Sequence, residues 1–119
     1  MFKLFLKGDE NNQKAFLKAS KKFDLNLEEI QLVSYDNFLA SLIFMIAVAN
    51  KKLYLFSTDN KKPEQFNMSE IKELLIDKKT DLNLYLKNGR VINLTSVVGV
   101  KPKVVRTYKE LAEQLKKLR

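Results

Sequence analysis

Hydrophobic and polar residues alternate along most of this chain with a period of two, and the period lengthens to that of a helix in two places. Phe2 to Leu6 predicts a short strand, with Phe2, Leu4 and Leu6 on one face and Lys3 and Phe5 on the other. Gly8-Asp9 ends it, and Asp9 is placed to cap a helix from about Glu10 to Lys22. At about 100° per residue, Phe16, Ala19 and Phe23 fall on one side of that helix and Lys14, Lys18, Lys21 and Lys22 on the other. Ile30 to Tyr35 reads as a strand, with Ile30, Leu32 and Ser34 facing one way and Val33 and Tyr35 the other. Asp36-Asn37 predicts a turn after it. Leu39 to Ala49 is apolar on both faces, the pattern of a strand inside a sheet that is covered on both sides. Asn50-Lys51 predicts a tight turn into Lys52 to Ser57, where Leu53 and Leu55 alternate with Tyr54 and Phe56.

Thr58 to Met68 is the longest polar stretch and predicts an exposed loop, a pivot between two halves. Ser69 to Asp77 fits two readings. Ser69 could cap a helix carrying Ile71, Leu74 and Leu75, or a short turn could lead into a strand from Ile71 to Ile76; the second is preferred. Asp81 to Leu86 and Val91 to Leu94 both alternate and predict a hairpin. A two-residue Asn88-Gly89 turn would set Leu84 opposite Asn93 on the core face. A three-residue loop, Lys87-Asn88-Gly89, sets Leu84 opposite Ile92 and Leu82 opposite Leu94. Slipping by one residue flips every side chain, so burial selects the longer loop, with Gly89 in the left-handed position of a bulge. Val97 to Arg106 predicts a connection containing Pro102. Thr107-Tyr108-Lys109-Glu110 then has the spacing of a capping box for a helix to the C-terminus. Its buried stripe is Tyr108, Leu111, Ala112, Leu115 and Leu118, and Lys109, Glu113, Lys116 and Lys117 face water, with Glu113 and Lys117 paired at i,i+4.

These elements predict a single α+β domain over residues 1–119, mainly antiparallel, with six or seven strands, an N-terminal amphipathic helix and a C-terminal capping helix. From Leu42 onward their order resembles the small bacterial pleckstrin-homology-like domains. The apolar strand to Ala49, the turn at Asn50-Lys51, the loop through Pro63, the Asn88-Gly89 hairpin and the helix from Tyr108 carry that resemblance, over about two-thirds of the chain. It implies two orthogonal sheets forming a barrel capped by the last helix, and a module that binds protein or lipid headgroup without catalysis. A single antiparallel sheet of five or six strands with two helices on one face is the alternative.

Composition narrows the chemistry. The chain has 119 residues, 45% hydrophobic and 30% charged, values of a folded domain large enough for its own core. It has no cysteine and no histidine, which removes disulfides, thiol chemistry, the usual zinc ligands and the usual general base near neutral pH. The longest apolar run, Phe38 to Ala49, is shorter than the ~20 residues of a membrane helix, and the N-terminus is too short and polar for a signal peptide. A cytoplasmic protein without transmembrane segment or cofactor is expected. The net charge is +8, with 19 Lys against 3 Arg. Such a balance favours nucleic acid, anionic membrane or an acidic protein, although richness in Lys, Asn, Ile and Phe is also what a bacterial genome of low G+C content produces.

The three glycines, Gly8, Gly89 and Gly99, are isolated and form no phosphate loop. Glu28-Glu29 and Glu70 with Glu73 read as solvated surface rather than metal ligands. The candidate contacts are basic. They are the helix face of Lys14, Lys18, Lys21 and Lys22, the loop tips at Lys51, Lys52, Lys87 and Arg90, and Lys101, Lys103 and Arg106, which precede the expected start of the last helix. Tyr35, Tyr54 and Tyr85 are the tyrosines expected at the surface, too few for a base-stacking platform. The leading expectation is a non-enzymatic module binding a protein partner or a second copy. A nucleic-acid-binding accessory protein is the runner-up, and an anionic membrane surface is disfavoured.

Overall fold

The computed structural model of the chain describes residues 2–38, 41–57, 60–78, 81–94 and 102–118. The chain divides into two compact units, Met1–Phe66 and Asn67–Arg119. The fold is α+β, with sheets of five and three strands and two helices among the described residues. The described strands close no barrel, and the two sheets rule out the single-sheet alternative.

The first unit contains β1 (Phe2–Leu6), α1 (Gln13–Phe23), β2 (Ile30–Phe38), β3 (Ser41–Ala49), β4 (Lys52–Ser57) and β5 (Asn60–Asn67), whose last residue lies in the second unit. The strands lie side by side in chain order, with β3 in the middle. Helix α1 starts at Gln13, later than Asp9 suggests, because the polar residues before it are spent on the end of β1. The Leu6 amide donates to Asp9 Oδ2 at 2.8 Å, and Asn12 Nδ2 donates to the Leu6 carbonyl at 3.0 Å. Asn12 is the N-cap residue but caps no helix amide with its side chain.

The chain in β2 departs from simple alternation. Pairing with β3 shifts between Ile30 and Leu32, a bulge that turns Ile30 to the same side as Val33 and Tyr35 rather than to that of Leu32 and Ser34. The expected turn at Asp36-Asn37 is instead strand. Asp36 is buried, opposite Phe2 on one neighbour and Phe44 on the other, and the connection lies at residues 39–40, outside the described residues. The tight turn after β3 is as expected: Asn50 and Lys51 have φ of 54° and 61°, the mirror-image turn that matches strand twist.

Residues 60–67, read from the sequence as loop, form the edge strand β5. An edge tolerates Pro63, which has no N–H to give a ladder, and Phe66 turns inward. One face of the sheet packs α1 through Ala15, Phe16 and Ala19 against Ile30, Val33, Tyr35, Met45, Ala47 and Ala49. The alternate residues Leu32, Phe44, Ile46, Val48, Leu53 and Leu55 are buried as well, which makes β3 the doubly covered strand its composition predicts.

The second unit opens with a 3-10 turn, Met68–Glu70, followed by β6 (Ile71–Asp77), β7 (Asp81–Leu86), β8 (Val91–Asn93) and α2 (Pro102–Leu118). The preferred turn-then-strand reading of Ser69 to Asp77 holds. The hairpin takes the three-residue loop: Leu84 pairs with Ile92, the Leu94 amide donates to the Leu82 carbonyl at 2.8 Å, and Gly89 has φ +94°. Nothing lies within 4 Å of where a Cβ would stand on Gly89. Gly89→Ala is therefore expected to cost about 1–2 kcal/mol from backbone conformation alone. A urea midpoint equal to that of the parent would remove the positive φ from the account.

Helix α2 begins at Pro102 rather than Thr107. Proline suits the first helical position, where its missing N–H has no bond to make, so Thr107 lies within the helix rather than at its start. The buried stripe of Tyr108, Leu111 and Leu115 is as expected, with Ala112 and Leu118 half-buried, and α2 packs on β6.

Candidate functional site

The end of α1 stands over the sheet where β2 and β3 carry Asn37, Leu42 and Met45. A second bulge, between Asp36 and Asn37, pairs Asn37 with Leu42 and brings both to the α1 side next to Met45. Together with Lys18, Lys21 and Lys22 these residues line an open groove of about 430 Å³. Its floor is apolar: Met45 is only 1% exposed and Leu42 is half-buried against the α1 core. Its rim is cationic. Lys22 Nζ lies 3.6 Å from the centre of the Phe56 ring, and Lys18 Nζ 5.5 Å from that of Tyr35. Ring faces hold an ammonium in place without cancelling its charge. Among the described residues none of these three lysines has a carboxylate partner.

The structure thus gathers Lys18, Lys21 and Lys22 into one site. Lys14 is exposed on the same helix but does not line the groove. Lys51 and Lys52 lie at the turn after Ala49, at the other end of β3 from Leu42 and about 23 Å along the strand. Lys87 and Arg90 are exposed beside the hairpin loop of the second unit. Lys103 and Arg106 do not precede a helix but lie inside α2, Arg106 exposed, and Lys101 falls outside the described residues. The groove's Asn37, Leu42 and Met45 were not singled out from the sequence. The apolar run marks Leu42 and Met45 as sheet residues, but no local pattern shows which end of that run the helix leaves open.

The tyrosines also differ from expectation. Tyr35 is buried, with its ring stacked on Phe5 at 6.0 Å and Lys18 over it. Tyr54 is half-buried beside Phe23 at 5.7 Å. In the second unit Tyr85 donates its hydroxyl proton to Asp77 Oδ2, which also accepts from Asn83 Nδ2 at 2.8 Å.

The bonds from Asn83 and then from Tyr85 hold the Asp77 carboxyl below its ordinary pKa, and the bond to Asp77 raises that of Tyr85. A carboxylate whose pKa is lowered by folding stabilises the fold above its unfolded value, and that contribution is lost as pH falls through the folded one. Between about pH 5 and about pH 2 the parent is expected to lose more of its urea midpoint than Asn83→Ala does. Equal losses would show that the Asn83–Asp77 bond carries no weight in solution.

No family model matches the chain, and no curated protein or solved structure matches it either. No described helix is long and apolar enough to cross a membrane.

Proposed function

We propose that this chain is a non-enzymatic binding module that takes a protein partner on its α1 face, the partner supplying carboxylates beside an apolar side chain. The observation that carries this reading is the set of three lysines, without carboxylate partners among the described residues, above the Leu42–Met45 floor. Cations that converge on one opening without a carboxylate beside them raise the local potential and favour an anionic group there. The apolar floor adds a requirement that a bare anion does not meet. The volume is in the range of pockets that hold a few side chains or a small ligand. The element order that resembles pleckstrin-homology-like domains supports a binding role of the same kind.

A nucleic-acid-binding accessory role is the second reading, favoured by the distribution of charge. Residues 67–119 carry twelve Lys and Arg against six Asp and Glu, whereas residues 1–66 carry ten against eight. Two features make it the weaker one. The outward lysines of α2 alternate with Glu110 and Glu113, both exposed. The ring faces of Tyr35 and Phe56, where a base would stack, already hold lysines.

Fluorescence anisotropy separates the two readings. A labelled peptide alternating Glu with Leu is expected to bind more tightly than labelled polyglutamate and to stay bound at physiological salt. Single-stranded and duplex oligonucleotides are expected to lose binding steeply as salt rises. Oligonucleotides that bind more tightly than the peptide at physiological salt would put the second reading in place of the first.

A further inference from the structure

The outer face of the three-stranded sheet differs in chemistry from the rest of the chain. Register sets its residues in cross-strand rows: Glu73, Tyr85 and Val91 in one, Leu75, Asn83 and Asn93 in the next, Asp77 and Asp81 in the third. Three carboxylates, Glu73, Asp77 and Asp81, stand on this face, and exposed Lys72, at the bulge beside Glu73, is the one cation among its described strand positions, although the chain as a whole carries +8. Lys78 stands in the turn beyond Asp77. The face also leaves apolar surface open. Val91 is 49% and Leu75 39% exposed, on either side of the half-buried Tyr85. A sheet face that mixes open aliphatic side chains with carboxylates fits a partner presenting cations around an apolar centre.

The chain itself presents that chemistry in the groove of Lys18, Lys21 and Lys22 over Leu42 and Met45. We infer that the outer face of β6, β7 and β8 docks on the lysine-rimmed groove of a second copy of this chain, head to tail. The inference rests on the groove as the binding site and names its occupant. Like faces cannot make this contact, because two copies of the acidic face would set Glu73, Asp77 and Asp81 against carboxylates. A heterologous contact instead lets each copy offer a face and a groove at once, so association continues beyond a pair unless it closes into a ring.

Sedimentation velocity on the full chain tests it. The average mass is expected to rise above that of one chain as concentration increases at low salt, and to fall back as salt screens the contact. Glu73→Lys, Val91→Lys and Lys21→Glu are each expected to weaken association at least about tenfold while far-UV circular dichroism stays unchanged. Lys21→Glu keeps the acidic face and Glu73→Lys keeps the groove, so an equimolar mixture of these two is expected to associate although neither does so alone. A wild-type chain that remains single at every concentration, or a mixture that fails to associate, overturns the inference. If the Glu–Leu peptide still binds in that case, the groove reading survives. If the peptide binds Lys21→Glu as well as wild type, the groove reading fails and this inference with it.

Discussion

Leu84→Ala is expected to destabilise the fold by about 2–5 kcal/mol, a large part of the ~5–15 kcal/mol that holds a domain of this size. Leu84 is 0% exposed in the central strand of the second sheet, with Leu74 opposite it on β6 and Ile92 on β8. Removing the isobutyl group loses its transfer from water and leaves a cavity that two hydrogen-bonded neighbours cannot easily close. Leu75 is the control. It lies on the opposite face of the same sheet, and Leu75→Ala is expected to cost less than about 1 kcal/mol. Urea melts of the two variants compare the faces directly. Equal costs would mean that the hairpin pairs one residue out of register and that Leu82, Leu84 and Leu86 are not its core side.

Lys21→Glu is expected to weaken binding of the Glu–Leu peptide about tenfold or more, whereas Lys14→Glu leaves it within about twofold. Both lysines are exposed on α1, but only Lys21 lines the groove. Neither has an aromatic contact like those of Lys18 and Lys22, so reversal changes charge without removing packing. The pair of variants therefore separates a placed charge from net charge, since each lowers the total by the same amount. Equal weakening would show that the peptide responds only to the overall field.

Much of the fold is legible from local pattern because each element carries its own period. The doubly apolar β3, the Asn50-Lys51 turn, the Leu82–Leu94 register and the Tyr108–Leu111–Leu115 stripe all follow from short stretches of chain. The misses share a physical cause: partners distant in sequence decided them. Residues 60–67 look like loop because an edge strand needs few apolar side chains and tolerates Pro63. The bulge between Ile30 and Leu32 reverses the side on which Ile30 lies, and only the pairing with Ala49 and Val48 reveals it. Asp36 reads as a turn residue, yet strands on both sides enclose it. At the site the cationic half was legible, since Lys18, Lys21 and Lys22 share a helix face. The apolar half was not, because Asn37 and Leu42 come together across a bulge and meet the helix only in the folded chain.

The measurement that bears most directly on the groove is NMR shift mapping with the unlabelled Glu–Leu peptide. The Met45 and Leu42 methyl resonances and the amides around Lys18 to Lys22 are expected to move together along one saturable titration. Shifts confined to α2 and to the loop at Lys87 to Arg90, with Met45 and Leu42 unmoved, would contradict the assignment and turn attention to the basic second unit.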